Sequence, residues 1–283
     1  KLLAASSDPE HLAEAYAFHR GMDHFGAAIG PLVASALLFA WPERFRLVFA
    51  LAALPGALAV AVLFAVRERP ARARAPSADI SPKILAEAEL SPPGAVRPDA
   101  RARIPSRLLL SIFVFTLGNS TDALLLLRAQ GLGVPTVLLP VAWTLLHVVR
   151  AGTSWPLGRL GDLVGRQRAL AAGWAWYALC YFGFAVAKVP WHAWVLFAAY
   201  GLVAGLTEGS ERALVASSVP QDRRGRALGV YNLVSGAGLL AASVVAGELW
   251  DHVSPATALA TGAALAIVAA VLLQTQPSAP PPA

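Results

Sequence analysis

Eight apolar runs, near residues 24–41, 45–66, 107–128, 135–156, 169–187, 193–214, 227–248 and 256–273, take up most of the 283-residue chain. Each is close to the roughly 20 residues that carry a helix across the hydrocarbon core of a bilayer. Ala, Leu and Val run through them continuously, without the period-two alternation of a membrane β-barrel. Hydrophobic residues make up 57% of the chain and charged residues 14%, with a mean hydropathy of +0.57. That is too little charge to cover a water-soluble surface of this size. The expected fold class is therefore all-α and polytopic, with the lipid bilayer as the first partner. Pro55 with Gly56, midway through the second run, is expected to kink it.

The net charge of +6 could be read as a nucleic-acid footprint. Placement argues against that: the basic residues sit in the short polar breaks between apolar runs, with no zinc-finger spacing and no RNA-binding aromatic pattern. The breaks at 1–23, 67–107, 157–168 and 212–226 hold most of the 23 Lys and Arg, whereas the opposite breaks hold Arg44, Arg46, Arg128 and Lys188. The bias predicts that the richer set is cytoplasmic, with both ends of this multi-pass chain inside and the inner (plasma) membrane as its location. Cys180 is the single cysteine, which excludes an intramolecular disulfide framework. The histidines at 11, 19, 24, 192 and 252 show no metal-ligand spacing, and no metal or cofactor is expected.

Composition divides the chain into residues 1–66 (the end of an N-terminal bundle, two transmembrane helices), 67–106 (a cytoplasmic linker), 107–275 (a six-helix bundle) and 276–283 (a disordered tail). The linker is rich in Pro, Arg, Ala and Ser, with Ser81–Leu90 as its one short surface helix. Leu3-Ala4-Ala5-Ser6-Ser7-Asp8-Pro9 matches Leu214-Val215-Ala216-Ser217-Ser218-Val219-Pro220, and both lead into a new apolar run. Four runs precede the second copy after the linker and none precedes the first. If the halves are equivalent, the parent protein has twelve helices and this chain is an N-terminally truncated fragment holding helices five to twelve.

Gly158-x-Leu160-x-Asp162-x-x-Gly165-Arg166-x-Arg168 is expected to be a tight polar turn between two runs, its three glycines permitting the reversal. In that place it resembles the signature loop of the major facilitator superfamily. Pro220-x-x-Arg223-Arg224-Gly225-Arg226-Ala227 is similar to another recurring loop of the superfamily, and Thr116–Gln130 and Leu206–Val215 look like stretches of bacterial members with no assigned substrate. The chain departs from the pattern at His11–Glu14, where Arg-Arg-Gly would be expected. The resemblance implies two six-helix bundles, the first incomplete here, with a ligand cavity between them and alternating access by rocking. It also implies that Asp162 latches across the bundles onto the start of the first helix, around Ala15–Asp23, in a gating loop of Gly158, Asp162, Gly165, Arg166 and Arg168; Pro220, Arg224 and Gly225 belong to the second loop.

Ionisable side chains inside apolar runs are costly and so mark cavities or partners. Asp122 lies about 22 Å along a helix from Arg107, and Ser111, Phe115, Asn119 and Asp122 share one face by spacing. That face is either a polar cap near the outer surface or a contact for substrate or proton. His147 and Arg150 form one polar face below Trp143. Arg150 either snorkels to the interface or lines the cavity, and His147 either bonds between helices or transfers a proton. Glu208 pairs by spacing with Glu211 and Arg212; Glu208 is also a candidate for coupling protonation to the side the cavity faces. Gly201, Gly205 and Gly209 repeat every fourth residue and permit close packing. Trp155, Trp191, Trp194 and Trp250 read as interface anchors. The Gly pattern in Ser235–Ala241 is not a dinucleotide site, because it lies within an apolar run and not after a strand.

These residues lead to a secondary transporter moving a small-molecule substrate, coupled to protons and monomeric, with no enzymatic role. A non-transporting receptor or scaffold of the same fold, and a membrane-embedded enzyme, are the alternatives.

Overall fold

The computed structural model describes residues 11–41, 44–65 and 104–275. The first copy of the repeat at Leu3–Pro9, the linker from 67 to 103 with Ser81–Leu90, and the tail 276–283 lie outside them. Among the described residues every regular element is a helix: α1 (Leu12–Ala40), α2 (Phe45–Ala65), α3 (Ser106–Gly118), α4 (Ala123–Gly131), α5 (Leu139–Val164), α6 (Arg166–Val186), α7 (Pro190–Ser217), α8 (Arg224–His252) and α9 (Pro255–Gln274). Short 3-10 turns at Thr136–Leu138 and Gln221–Arg223 lead into α5 and α8.

Among the described residues, four spans are long and apolar enough to cross a membrane: Ser106–Gly131, which is interrupted after Gly118, Arg166–Val186, Gln221–His252 and Pro255–Gln274. The 26-residue α5 and the 28-residue α7 are also long enough, but carry His147, Arg150, Glu208 and Glu211. Helix α1 starts at Leu12, a dozen residues before the apolar run that announces it, and its 29 residues rise about 43 Å. Helix α2 passes unbroken through Pro55.

Helix α1 packs along α5 and α7, α6 lies against α9 and α7, and α9 against α3. The core of the α3–α9 bundle is aromatic: Trp174, Tyr177, Tyr181 and Phe184 on successive turns of α6 meet Phe197 of α7 and Phe115 of α3. A second, smaller cluster joins Leu12, Ala13 and Tyr16 of α1 to Ala213 and Ala216 of α7.

Two expectations are corrected. The Gly158–Arg168 segment is not a reversal: α5 stays helical through Val164, and Gly165 alone, at φ +97°, turns the chain into α6. Gly158 and Gly161 are helical and buried, and what they supply is proximity: a Cβ on Gly158 would strike Ala17 Cβ, and one on Gly161 would stand 2.6 Å from Ser210 Oγ. Nor is 107–128 one helix. The chain leaves helical geometry after Gly118 and re-enters at Ala123, so the shared face of Ser111, Phe115, Asn119 and Asp122 ends at the break.

Candidate functional site

The break between α3 and α4 exposes backbone groups at a depth where lipid offers no partner, so protein must satisfy them. Helix α6 does so: Tyr177 donates its hydroxyl to Gly118 O at 2.9 Å and Tyr181 to Ser120 O at 3.5 Å. Gly118 and Gly262 touch backbone to backbone, which brings α9 against the end of α3. At the other end of α4, Arg128 donates to the carbonyls of Phe184, Ala185 and Ala187, closing the C-terminus of α6. The interruption is therefore held from both sides, and Asp122 is presented at a fixed point.

Asp122 meets Arg150 of α5 there, with Nη2 2.9 Å from Oδ2, and accepts the Tyr200 hydroxyl from α7 at 2.8 Å. The Arg150 guanidinium lies over the Tyr200 ring, 5.2 Å from its centroid. Measured along ideal helices the two charges fall toward opposite faces of the membrane. They meet because four residues, 119–122, leave the helix and because the Arg side chain is long. Arg150 neither snorkels nor does Asp122 cap an outer surface; each is the other's partner.

A second charged group forms where α1 crosses α7. Glu208 does not pair along its own helix with Glu211 or Arg212, because its side chain projects toward α1, where Arg20 donates to Oε2 and His24 Nε2 lies 3.4 Å from the same oxygen. Arg20 also holds Asp23 at 3.1 Å. Glu211 is buried on the next turn, beside Tyr231 of α8. Between these groups lies a cavity of about 690 Å³, lined by Arg20, Asn119, Asp122, Arg150, Glu208 and Glu211 together with the rings of Phe115, Trp143, Tyr177, Tyr200 and Tyr231. His147 is buried next to it, in ring contact with Trp143 at 4.9 Å and His24 at 5.4 Å.

The residues of the expected gating loop gather at the end of α5 and the start of α6, with Asp162 twelve residues past Arg150. Asp162 accepts from the backbone N–H groups of Ala13 at 3.3 Å and Glu14 at 2.9 Å, in the first turn of α1, and from Arg166 Nε at 2.8 Å. The target is thus the free N–H groups at the very start of α1, a few residues earlier than Ala15–Asp23, since α1 begins at Leu12. Glu14 in turn accepts from the indole of Trp155 at 2.9 Å. Arg168 is exposed on the first turn of α6. Pro220 precedes the 3-10 turn into α8, which Arg224 and Gly225 begin, half-buried.

Arg20, His24 and Tyr200 are functional candidates that sequence reasoning passed over. Arg20 and His24 stand one turn apart at the polar edge of the first apolar run, and that i, i+4 spacing was the available signal. Tyr200 carried none, since a tyrosine in an apolar run reads as packing.

A sequence profile of the Major Facilitator Superfamily matches residues 1–243 and 150–283. The chain is 29% identical over 280 residues to an uncharacterised MFS-type transporter of Methanocaldococcus jannaschii, covering 96% of this chain and 66% of that protein. It is 26% identical over 278 residues to uncharacterised proteins of Mycobacterium bovis and Mycobacterium tuberculosis, covering 96% of this chain and 64% of each. No solved structure matches the chain. The chain belongs to the Major Facilitator Superfamily, and its apolar helices fit a multi-pass membrane protein. It spans just under two thirds of the length of these relatives.

Proposed function

We propose that the chain forms the cavity-bearing part of a secondary active transporter that moves a small solute by alternating access, coupled to protons. The observation that carries this reading is the pairing of charges around the cavity. Asp122–Arg150 joins two elements of one bundle, whereas Glu208–Arg20 joins α7 to α1 across the two parts of the chain. An ion pair withdrawn from water is held by its partner, and protonating the carboxylate releases the cation. A proton arriving at Asp122 or Glu208 would therefore loosen the contact that fixes one arrangement of the helices, tying proton occupancy to which side the cavity faces. One relative named as an MFS-type transporter supports the class, and proton coupling rests on the carboxylates.

In this reading the α5–α6 junction and both ends of the chain are cytoplasmic in the inner (plasma) membrane, and the working unit is a monomer. The test is flux. The full-length protein is reconstituted in liposomes with an entrapped pH indicator and challenged with gradients of small solutes of both charge signs. The reading predicts at least one solute whose movement shifts the internal pH, and loss of that shift with Glu208→Gln while solute exchange at equal concentrations continues. Solute binding without any flux would instead favour a receptor or scaffold.

A further inference from the structure

Three carboxylates and three guanidiniums line the cavity, and four of the six cancel in pairs, Asp122 with Arg150 and Glu208 with Arg20. Glu211 and Arg212 remain, and neither has an ion-pair partner among the described residues. The two differ in their access to water. Arg212 is half-buried and stands five residues, about 8 Å, before the end of α7 at Ser217, a distance that its long side chain spans. Glu211 is 6% exposed, and what it accepts is the neutral hydroxyl of Tyr231. An ionised carboxylate so far from water is costly without a positive partner. The space it borders is the cavity, and the rest of that wall suits a cation. Phe115, Trp143, Tyr177, Tyr200 and Tyr231 line it with aromatic rings, whose faces attract positive charge. The Tyr200 ring already holds one such charge, the Arg150 guanidinium 5.2 Å from its centroid.

We infer that the cavity takes a small organic cation, its positive group opposite the Glu211 carboxylate and its apolar body against the aromatic wall. The inference rests on the transporter reading above and names the substrate class of that same cavity. Glu211 is the carboxylate for this task because Arg150 and Arg20 already occupy the other two. The cavity volume of about 690 Å³ is that of a small-molecule site. An anion entering it would meet a buried carboxylate with no counter-charge and the negative faces of the rings, and the guanidiniums at Arg20 and Arg150 are already neutralised. A neutral solute would leave the Glu211 charge uncompensated.

Four probes with one benzyl body separate the charge classes: benzyltrimethylammonium as the cation, phenylacetate as the anion, benzyl alcohol as the neutral form and phenylalanine as the zwitterion. Their affinities are measured by calorimetry on the full-length protein in lipid nanodiscs. Benzyltrimethylammonium is expected to bind at least about tenfold more tightly than each of the other three. Glu211→Gln, with its fold checked by a thermal melt, is expected to weaken the cation by about tenfold or more. Arg212→Gln removes a neighbouring positive charge and is expected to strengthen the cation by about threefold. That variant keeps the inference testable should Glu211→Gln fail to fold. Phenylacetate or phenylalanine binding as tightly as the cation overturns the inference, and so does a cation that fails to bind at about 10 mM, far weaker than a specific site. A folded Glu211→Gln variant with unchanged cation affinity, or an Arg212→Gln variant that weakens the cation, overturns it as well. Binding is read without flux, so a cation that binds and is not moved counts against the transporter reading alone. Flux of some other solute with no cation bound counts against this inference alone.

Discussion

Asp122 receives one hydrogen bond from a guanidinium and one from a phenol, each on a different helix, at the point where its own helix is interrupted. Removing its charge leaves Arg150 buried without a counter-charge, and breaking a buried pair from one side typically costs about 3–5 kcal/mol. Asp122→Asn is therefore expected to lower the melting temperature of the purified full-length protein strongly, and Asp122→Asn with Arg150→Gln to recover part of that loss. Tyr200→Phe keeps the ring beneath Arg150 and removes only the bond to the carboxylate, for about 1.5–3 kcal/mol; a melt no different from the unsubstituted protein would show that bond to be idle. At this scale the sequence named Asn119, Asp122, His147, Arg150, Glu208 and Glu211 because a charge or polar group inside an apolar run stands out. It did not name their partners. Pairing here depends on where α3 breaks and how α1 crosses α7, and neither is written in the spacing along one helix.

Helix α1 is held against α5 and α7 by small residues. Gly158 and Gly209 both press on Ala13 and Ala17, and a Cβ at Gly158 would also come within 3.1 Å of Ala13 O and 3.4 Å of Glu14 Cα. Those are backbone atoms that cannot swing aside, so Gly158→Ala is expected to destabilise the protein by about 1–3 kcal/mol, as overpacking does, and a thermal melt reads the change. At the end of the same seam Asp162 closes two of the free N–H groups of α1. A carboxylate at a helix N-terminus contributes about 0.3–1 kcal/mol. Losing it is enough to move a two-state equilibrium roughly two- to fivefold, and Asp162→Asn is expected to shift the protein toward the form open on the α5–α6 side. The helices themselves were legible as apolar runs. Their ends were not: α1 begins at Leu12 because its first two turns bury Leu12, Ala13, Tyr16 and Ala17 on other helices, so residues a hydropathy reading assigns to water are covered by protein. The glycines of α5 were legible as a motif and misread as a turn, since close approach and backbone freedom call for the same residue.

Across the whole molecule, the charged cavity near mid-span and the Asp162 contact at one end of α1 are separate contacts on the same pair of surfaces, α1 against α5 and α7. Movement of α1 relative to those helices would break or make both, which is how occupancy of the cavity would reach a distant gate. The central claim is that the cavity opens alternately to the two sides, and one measurement tests it most directly. Gly236 lines the cavity from α8, and a Cβ there would meet nothing within 4 Å. Gly236→Cys, with Cys180 replaced by Ala, can be labelled by a membrane-impermeant maleimide in full-length protein held in right-side-out and inside-out vesicles. The account predicts labelling from both sides, with Asp162→Asn raising it from the side of the α5–α6 junction. Labelling from one side alone, unchanged by Asp162→Asn, would contradict it.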